Sequence, residues 1–172
     1  MASADWADRY LQLASFVSQW SKDPKAKVGA VLLDRNNWVV ALGYNGFPKG
    51  VEDNIEKLKN EKDKNNMVVH AEQNALICAG PRADGGSIYV FKKPVCSRCA
   101  VLIIQAGIKK VVALKPDPEN NKGEDGEPSD SHTSGIISVA MFREAGICLE
   151  LIEEKEMNDK VNGWKEDWMK ET

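Results

Sequence analysis

What most constrains this chain is an alternation: after an opening helical stretch and two adjacent β-branched runs, short strand-like segments and helical periodicities take turns to the end. Strands alternating with helices bury their apolar faces best as a sheet covered on both sides, so the pattern predicts a three-layer α/β/α fold. KVGAVLLD (27–34) and WVVALGYN (38–45) are joined by Arg35, Asn36 and Asn37, which reads as a hairpin with a short polar turn. SIYVF (87–91), KKVVALK (109–115) and ICLELI (147–152) read as further strands. Helical spacing runs over 3–20, 69–79, 96–107 and 131–145, and the last three stop at Gly80-Pro81, Gly107 and Gly146.

In the first helix Trp6, Tyr10, Leu13, Phe16, Val17 and Trp20 recur every three or four residues, which predicts that this face, behind a cap at Ser3, lies on the core. The segment GFPKG (46–50) is a loop, and the Lys- and Asn-rich stretch 56–66 reads as a solvated helix or loop. Residues 116–130, rich in Pro, Gly, Asn and acid, read as a flexible surface loop. A single domain over 1–152 is expected. The charged tail 153–172, with Trp164, Trp168 and Met169 at helical spacing, is expected to dock on it as a helix.

Composition narrows function by exclusion. A net charge of -3 over 172 residues argues against a polynucleotide binder, which needs a basic surface to displace counterions. No apolar run approaches the roughly 20 residues that span a bilayer, so no membrane partner is expected. The opening MASADWADRY is acidic and aromatic rather than a signal peptide, and the cytoplasm is the expected address. Without a secretory context, the four cysteines read as metal-binding or redox groups at Cys96-Ser97-Arg98-Cys99, and as small core residues at Cys78 and Cys148.

The chemistry lies in two helix starts. His70, Ala71 and Glu72 open one, and Cys96 to Cys99 open another. A catalytic zinc needs three protein ligands and an open position, and one imidazole with two thiolates, His70, Cys96 and Cys99, meets that need. Residues three apart in a first helical turn point the same way, and a helix N-terminus favours the thiolate. Glu72, two residues from a ligand and not needed by the metal, is then the expected proton carrier. Together the pieces match the H-x-E…P-C-x-x-C signature of zinc deaminases, except that Val95 stands between Pro94 and Cys96.

Beyond that signature the chain resembles the deoxycytidylate deaminases of the cytidine deaminase superfamily, in SKDPKAKVGAV (21–31), GYNGFPKG (43–50), HAEQNAL (70–76), CSRCAVLIIQAGIKKVV (96–112) and, more weakly, MFREAGI (141–147). The resemblance implies a mixed five-stranded sheet, hydrolytic conversion of dCMP to dUMP and ammonia, one Zn²⁺ per chain and a homo-oligomer, a hexamer ahead of a dimer. It also implies a triphosphate site that dCTP activates and dTTP inhibits in many members, with Mg²⁺ accompanying the triphosphate. Tyr44, Asn45 and Gly46 carry over as nucleotide-binding, catalytic or regulatory. Ala71, Val95 and Arg98, beside the ligands, join them, and Lys22, Lys27, Lys49 and Arg98 are the candidate phosphate cations. A second structural zinc from Cys78, Cys148 and His132 is not expected. The competing readings are a deaminase of deoxycytidine, CMP, dCTP or another base, a polynucleotide-editing deaminase, and a non-enzymatic zinc module.

Overall fold

The structure, a computed structural model, describes residues 6–117 and 130–170. Helix α1 (Trp6–Ser18) precedes a hairpin of β1 (Gly29–Leu33) and β2 (Val39–Tyr44), whose turn places Asn37 at a left-handed φ of 64°. Two short helices, α2 (Ile55–Lys59) and α3 (Glu61–Met67), lead into α4 (Ala71–Ala79). The chain then alternates: β3 (Ser87–Phe91), α5 (Ser97–Gln105), β4 (Lys110–Leu114), α6 (Asp130–Glu144), β5 (Cys148–Ile152) and α7 (Glu154–Lys170). Five strands form one mixed sheet in the order β2-β1-β3-β4-β5, antiparallel on the hairpin side and parallel from β3 to β5. This is the cytidine-deaminase-like architecture the sequence led us to expect.

Period-two alternation explains why the central strands are apolar throughout. In β1, β3 and β4, Ala30, Leu32, Ile88, Val90, Val111 and Ala113 face one core, and Val31, Leu33, Tyr89, Phe91, Val112 and Leu114 face the other. The first core is closed by α4, α5 and Phe142 of α6, the second by α1 and by Met157 and Val161 of α7. Helix α7 is also held by Lys160, whose Nζ lies 2.8 Å from Asp8 and whose carbonyl accepts from Gln12 at 3.0 Å. The side chains of Trp164, Trp168 and Met169, Ser3 and the segment 118–129 lie outside the described residues.

Three expectations are corrected. Of the face expected on α1, Val17 is buried and Tyr10 and Leu13 pack against the core with Ala7, Leu11 and Ala14, but Trp6, Phe16 and Trp20 stand outward at 63%, 60% and 50% exposure. The cause is close approach: a Cβ on Gly29 would stand 1.9 Å from the Ala14 carbonyl oxygen, so the side of α1 that carries Ala14 and Ser18 lies directly on β1. Cys78 and Cys148 are exposed, one on the outer side of α4 and one at the start of the edge strand. The stretch 56–66 is not solvated throughout, since Leu58 and Lys64 are buried.

Candidate active site

The helix α4 begins at His70, whose N–H donates to Gln73 Oε1 at 2.9 Å, and the segment before it is pinned to the GYNG loop by paired hydrogen bonds between Gly46 and Val69. Asn74 Nδ2 donates to the Tyr44 carbonyl at 2.8 Å, a second stitch between the same pieces. The helix lies almost on β2, because Gly43 carries no side chain: a Cβ there would meet the Ala71 carbonyl oxygen at 2.0 Å. Helix α5 starts at Cys96 beyond the carboxyl end of β3, where ligands gather in open α/β sheets. Its first turn is tied to α6 by Ser97 N–H donating to Ser134 Oγ at 2.8 Å.

These two helix starts meet. His70 Nδ1 lies 3.4 Å from Cys96 Sγ and 3.3 Å from Cys99 Sγ, and the three ligand atoms all fall within 4.8 Å of one another. Among the described residues this is the one cluster of metal-ligand type. One neutral imidazole with two soft thiolates suits Zn²⁺, and three protein ligands leave a position for water. A hydrogen bond from Cys99 holds the Cys96 thiol down to about 4 against burial, while Cys99 is pushed far up by that bond and by burial. The bond to Cys96 raises His70, outweighing burial. The convergence of these donors fits a resident zinc.

Glu72 sits beside them at 4% exposure and reaches the Cys99 side chain. Burial pushes its carboxyl up from its ordinary value. His70, Ala71, Glu72, Pro94 and Cys96 open onto a cleft of about 400 Å³, the size of a small-ligand site.

The sequence-derived contact residues divide around this cleft. Ala71 and Asn45 line it. The Asn45 amide is engaged structurally, accepting from Val28 N–H at 2.8 Å and donating to the Ala26 carbonyl at 2.9 Å. Lys22, Tyr44 and Gly46 line a neighbouring cleft of about 170 Å³, with Trp20 and Phe47, and Lys22 pairs there with Asp53 at 2.9 Å. Lys27 and Lys49 are exposed and line neither cleft, and Arg98 is exposed on α5. Val95 is buried in the core with Val111 and Phe142, which is how the chain accommodates the residue between Pro94 and Cys96.

Residues that the sequence reading passed over complete the wall. Asp23 and Lys64 form a buried ion pair at 3.0 Å, each side chain 6% exposed. Asp23 also accepts from the N–H of Lys25 at 2.8 Å and of Ala26 at 3.1 Å, which shapes the loop of the SKDP segment. Lys93 lines the same cleft beside Pro94. For Asp23 the available signal was SKDP, quoted for resemblance but used only for its lysines, and for Lys93 it was the unusual KKPVCSRC segment (92–99).

A mixed sheet with a His, Cys, Cys cluster and a buried glutamate at two helix starts defines a zinc-deaminase class of site. The family model "Cytidine and deoxycytidylate deaminase zinc-binding region" matches residues 4–115, and the chain belongs to that family. It is 43% identical over 106 residues to an uncharacterized deaminase of Aliivibrio fischeri, covering 62% of this chain and 70% of that one. It is 40% identical over 116 residues to the human deoxycytidylate deaminase, covering 64% and 65% of the two chains. A probable deoxycytidylate deaminase of Caenorhabditis elegans is 42% identical over 113 residues, and there the match spans only 56% of the relative. The crystal structure of dCMP deaminase from cyanophage S-TIM5 superposes with a TM-score of 0.63 at 26% identity, covering 88% of this chain and 100% of that one.

Proposed function

We propose that this chain is a zinc-dependent deaminase that hydrolyses dCMP to dUMP and ammonia. The observation that carries the reading is the convergence of His70, Cys96 and Cys99 within 4.8 Å, beside the buried Glu72 on a nucleotide-sized cleft. The relatives named deoxycytidylate deaminase support dCMP as the substrate. His70, Cys96 and Cys99 would hold one Zn²⁺ per chain. When bound, that ion supplies a Lewis acid that makes water nucleophilic near neutral pH.

Glu72 moves the protons. Its carboxylate oxygen takes one from the attacking water as the new C–O bond forms at the ring carbon, and delivers it to the adjacent ring nitrogen. The remaining hydroxyl proton then passes through Glu72 to the exocyclic amine, the C–N bond breaks, and ammonia leaves with the carbonyl formed. Burial supports this role, because it raises the affinity of the Glu72 carboxylate for the proton it must take from water. Ala71 and Asn45 bound the pocket in which the ring and sugar sit.

The same reading extends to regulation and assembly. The neighbouring cleft with Trp20, Tyr44 and Phe47 offers rings for stacking a base, so dCTP or dTTP, with Mg²⁺, is assigned there. Trp6, Phe16, Trp20 and Trp38 are exposed apolar side chains that favour a homo-oligomer, a hexamer ahead of a dimer. Among the described residues no helix is long and apolar enough to cross a membrane, in keeping with cytoplasmic nucleotide metabolism. Ammonia release from a panel of dCMP, deoxycytidine, CMP and dCTP tests the substrate. Turnover of dCMP no better than of deoxycytidine would overturn the monophosphate assignment.

A further inference from the structure

We propose that Lys93 is the residue by which this site recognises a 5′-phosphate, and so the one that separates a nucleoside monophosphate from its nucleoside. The inference rests on the deaminase reading above and assigns the phosphate end of that substrate.

The cleft wall carries five ionisable carboxyl and lysine side chains, Asp23, Lys25, Lys64, Glu72 and Lys93. Three are cations, in a chain whose net charge is -3. They are not equivalent. The charge of Lys64 is committed to Asp23 at 3.0 Å, and the pair is buried, so a ligand would have to break it at high cost. Glu72 belongs to proton transfer. Lys93 is half-buried and has no ion pair or hydrogen bond from its ammonium to any described residue. An ammonium partly withdrawn from water with no counter-charge is stabilised when an anion enters beside it.

Backbone geometry aims this lysine at the cleft. Lys92 adopts a φ of 89°, a left-handed conformation costly for a residue with a side chain. At that turn the two neighbouring lysines part: Lys92 reaches Glu154 at 3.9 Å, outside the cleft, while Lys93 stays on its wall. Pro94 restricts residue 93 to extended backbone. Cys96 follows three residues on, so at most about 10 Å of chain separates the rim lysine from the metal-ligand end of the cleft. The amine-bearing ring and the phosphate lie at opposite ends of a nucleoside monophosphate, which fits these two stations.

The other face of the same ridge sets the direction. Lys93 and Pro94 also border a separate hollow of about 220 Å³, which holds Glu153, Glu154 and Asp117 beside Lys92 and Lys115. There the three carboxylates offset the three lysines, Lys93 included, whereas on the catalytic side three lysines face two carboxylates, which leaves a cationic excess for a phosphate.

The test is steady-state ammonia release by the zinc-loaded protein and its K93Q, K93A and K93R variants, with dCMP and with deoxycytidine, alongside zinc content. For K93Q we expect KM for dCMP to rise about tenfold to a hundredfold, the range for losing a charge-assisted hydrogen bond. Its kcat/KM for deoxycytidine and its zinc content should stay unchanged, and K93R should keep most of the dCMP preference. Equal losses on both compounds would mark a structural role and overturn the assignment, as would unchanged KM for dCMP. If the zinc-loaded parent turned over neither compound, the deaminase reading itself would fall and this assignment with it, a result distinct from a K93Q that behaves like a competent parent.

Discussion

Gly43→Ala should separate stability from site geometry. The added Cβ would stand 2.0 Å from the Ala71 carbonyl oxygen and 2.7 Å from the Ala75 N–H nitrogen, where ordinary contacts begin at 3.4 Å, so α4 must lift by about 1.4 Å. Backbone atoms on both sides cannot step aside, and overpacking of this kind costs about 1–3 kcal/mol. The lift also carries His70 and Glu72, at the start of α4, away from Cys96 and Cys99 on α5. Displacements near 1 Å at reacting groups cost on the order of a hundredfold in rate. Gly29→Ala is the matched control, with an equal clash of 1.9 Å against Ala14 of α1, on the opposite face of the sheet. Urea unfolding, zinc content and ammonia release from dCMP should show similar destabilisation in both variants, with activity and zinc affinity lost far more in Gly43→Ala. If Gly43→Ala lost stability but kept activity within about threefold of the parent, the geometric argument would be refuted.

Glu72→Gln should fold and keep stoichiometric zinc while kcat falls by about a hundredfold or more, read by dUMP formation; loss of the zinc instead would make Glu72 a ligand. Cys99→Ala should lose zinc, and chelation of the parent should lower its Tm, because an ion held at a hundred times its Kd contributes about 2.7 kcal/mol. Asp23→Asn should cost about 3–5 kcal/mol at neutral pH, since it leaves Lys64 buried without its counter-charge. The acid response has a definite sign. Burial raises the Asp23 carboxyl, but the Lys25 and Ala26 N–H groups and Lys64 outweigh it and hold the group below its ordinary 3.8. The unfolded chain therefore binds the proton first, so this contribution is full at neutral pH and is lost as pH falls below 3.8 through the lowered folded value. Denaturation measured from pH 6 to about 2 should accordingly be steeper for the parent than for Asp23→Asn, and parallel curves would contradict the assignment.

The metal cluster was legible in the sequence because ligand identity and helical spacing are local properties: Cys96 and Cys99 share a turn wherever that helix packs. The five strands were legible as short apolar runs for the same reason, whereas their order in the sheet was not. What escaped depends on partners distant in the chain. Three-and-four spacing defines faces on α1, but only the closeness of Ala14 to Gly29 decides that the side with Ala14 faces inward and Trp6 and Phe16 outward. Lys64 looked like one more solvated lysine until the fold set it against Asp23. Lys93 is distinguished from Lys22, Lys27 and Arg98 only by which wall the chain gives it. Val95, the one departure from the deaminase signature, is absorbed by the core rather than by the site.

The central claim is tested most directly by assaying the purified chain, with its zinc content measured, for conversion of dCMP to dUMP and ammonia. The account expects one zinc per chain and turnover that disappears in Glu72→Gln at full zinc occupancy. A fully zinc-loaded protein that leaves dCMP and the other cytosine compounds intact would contradict it.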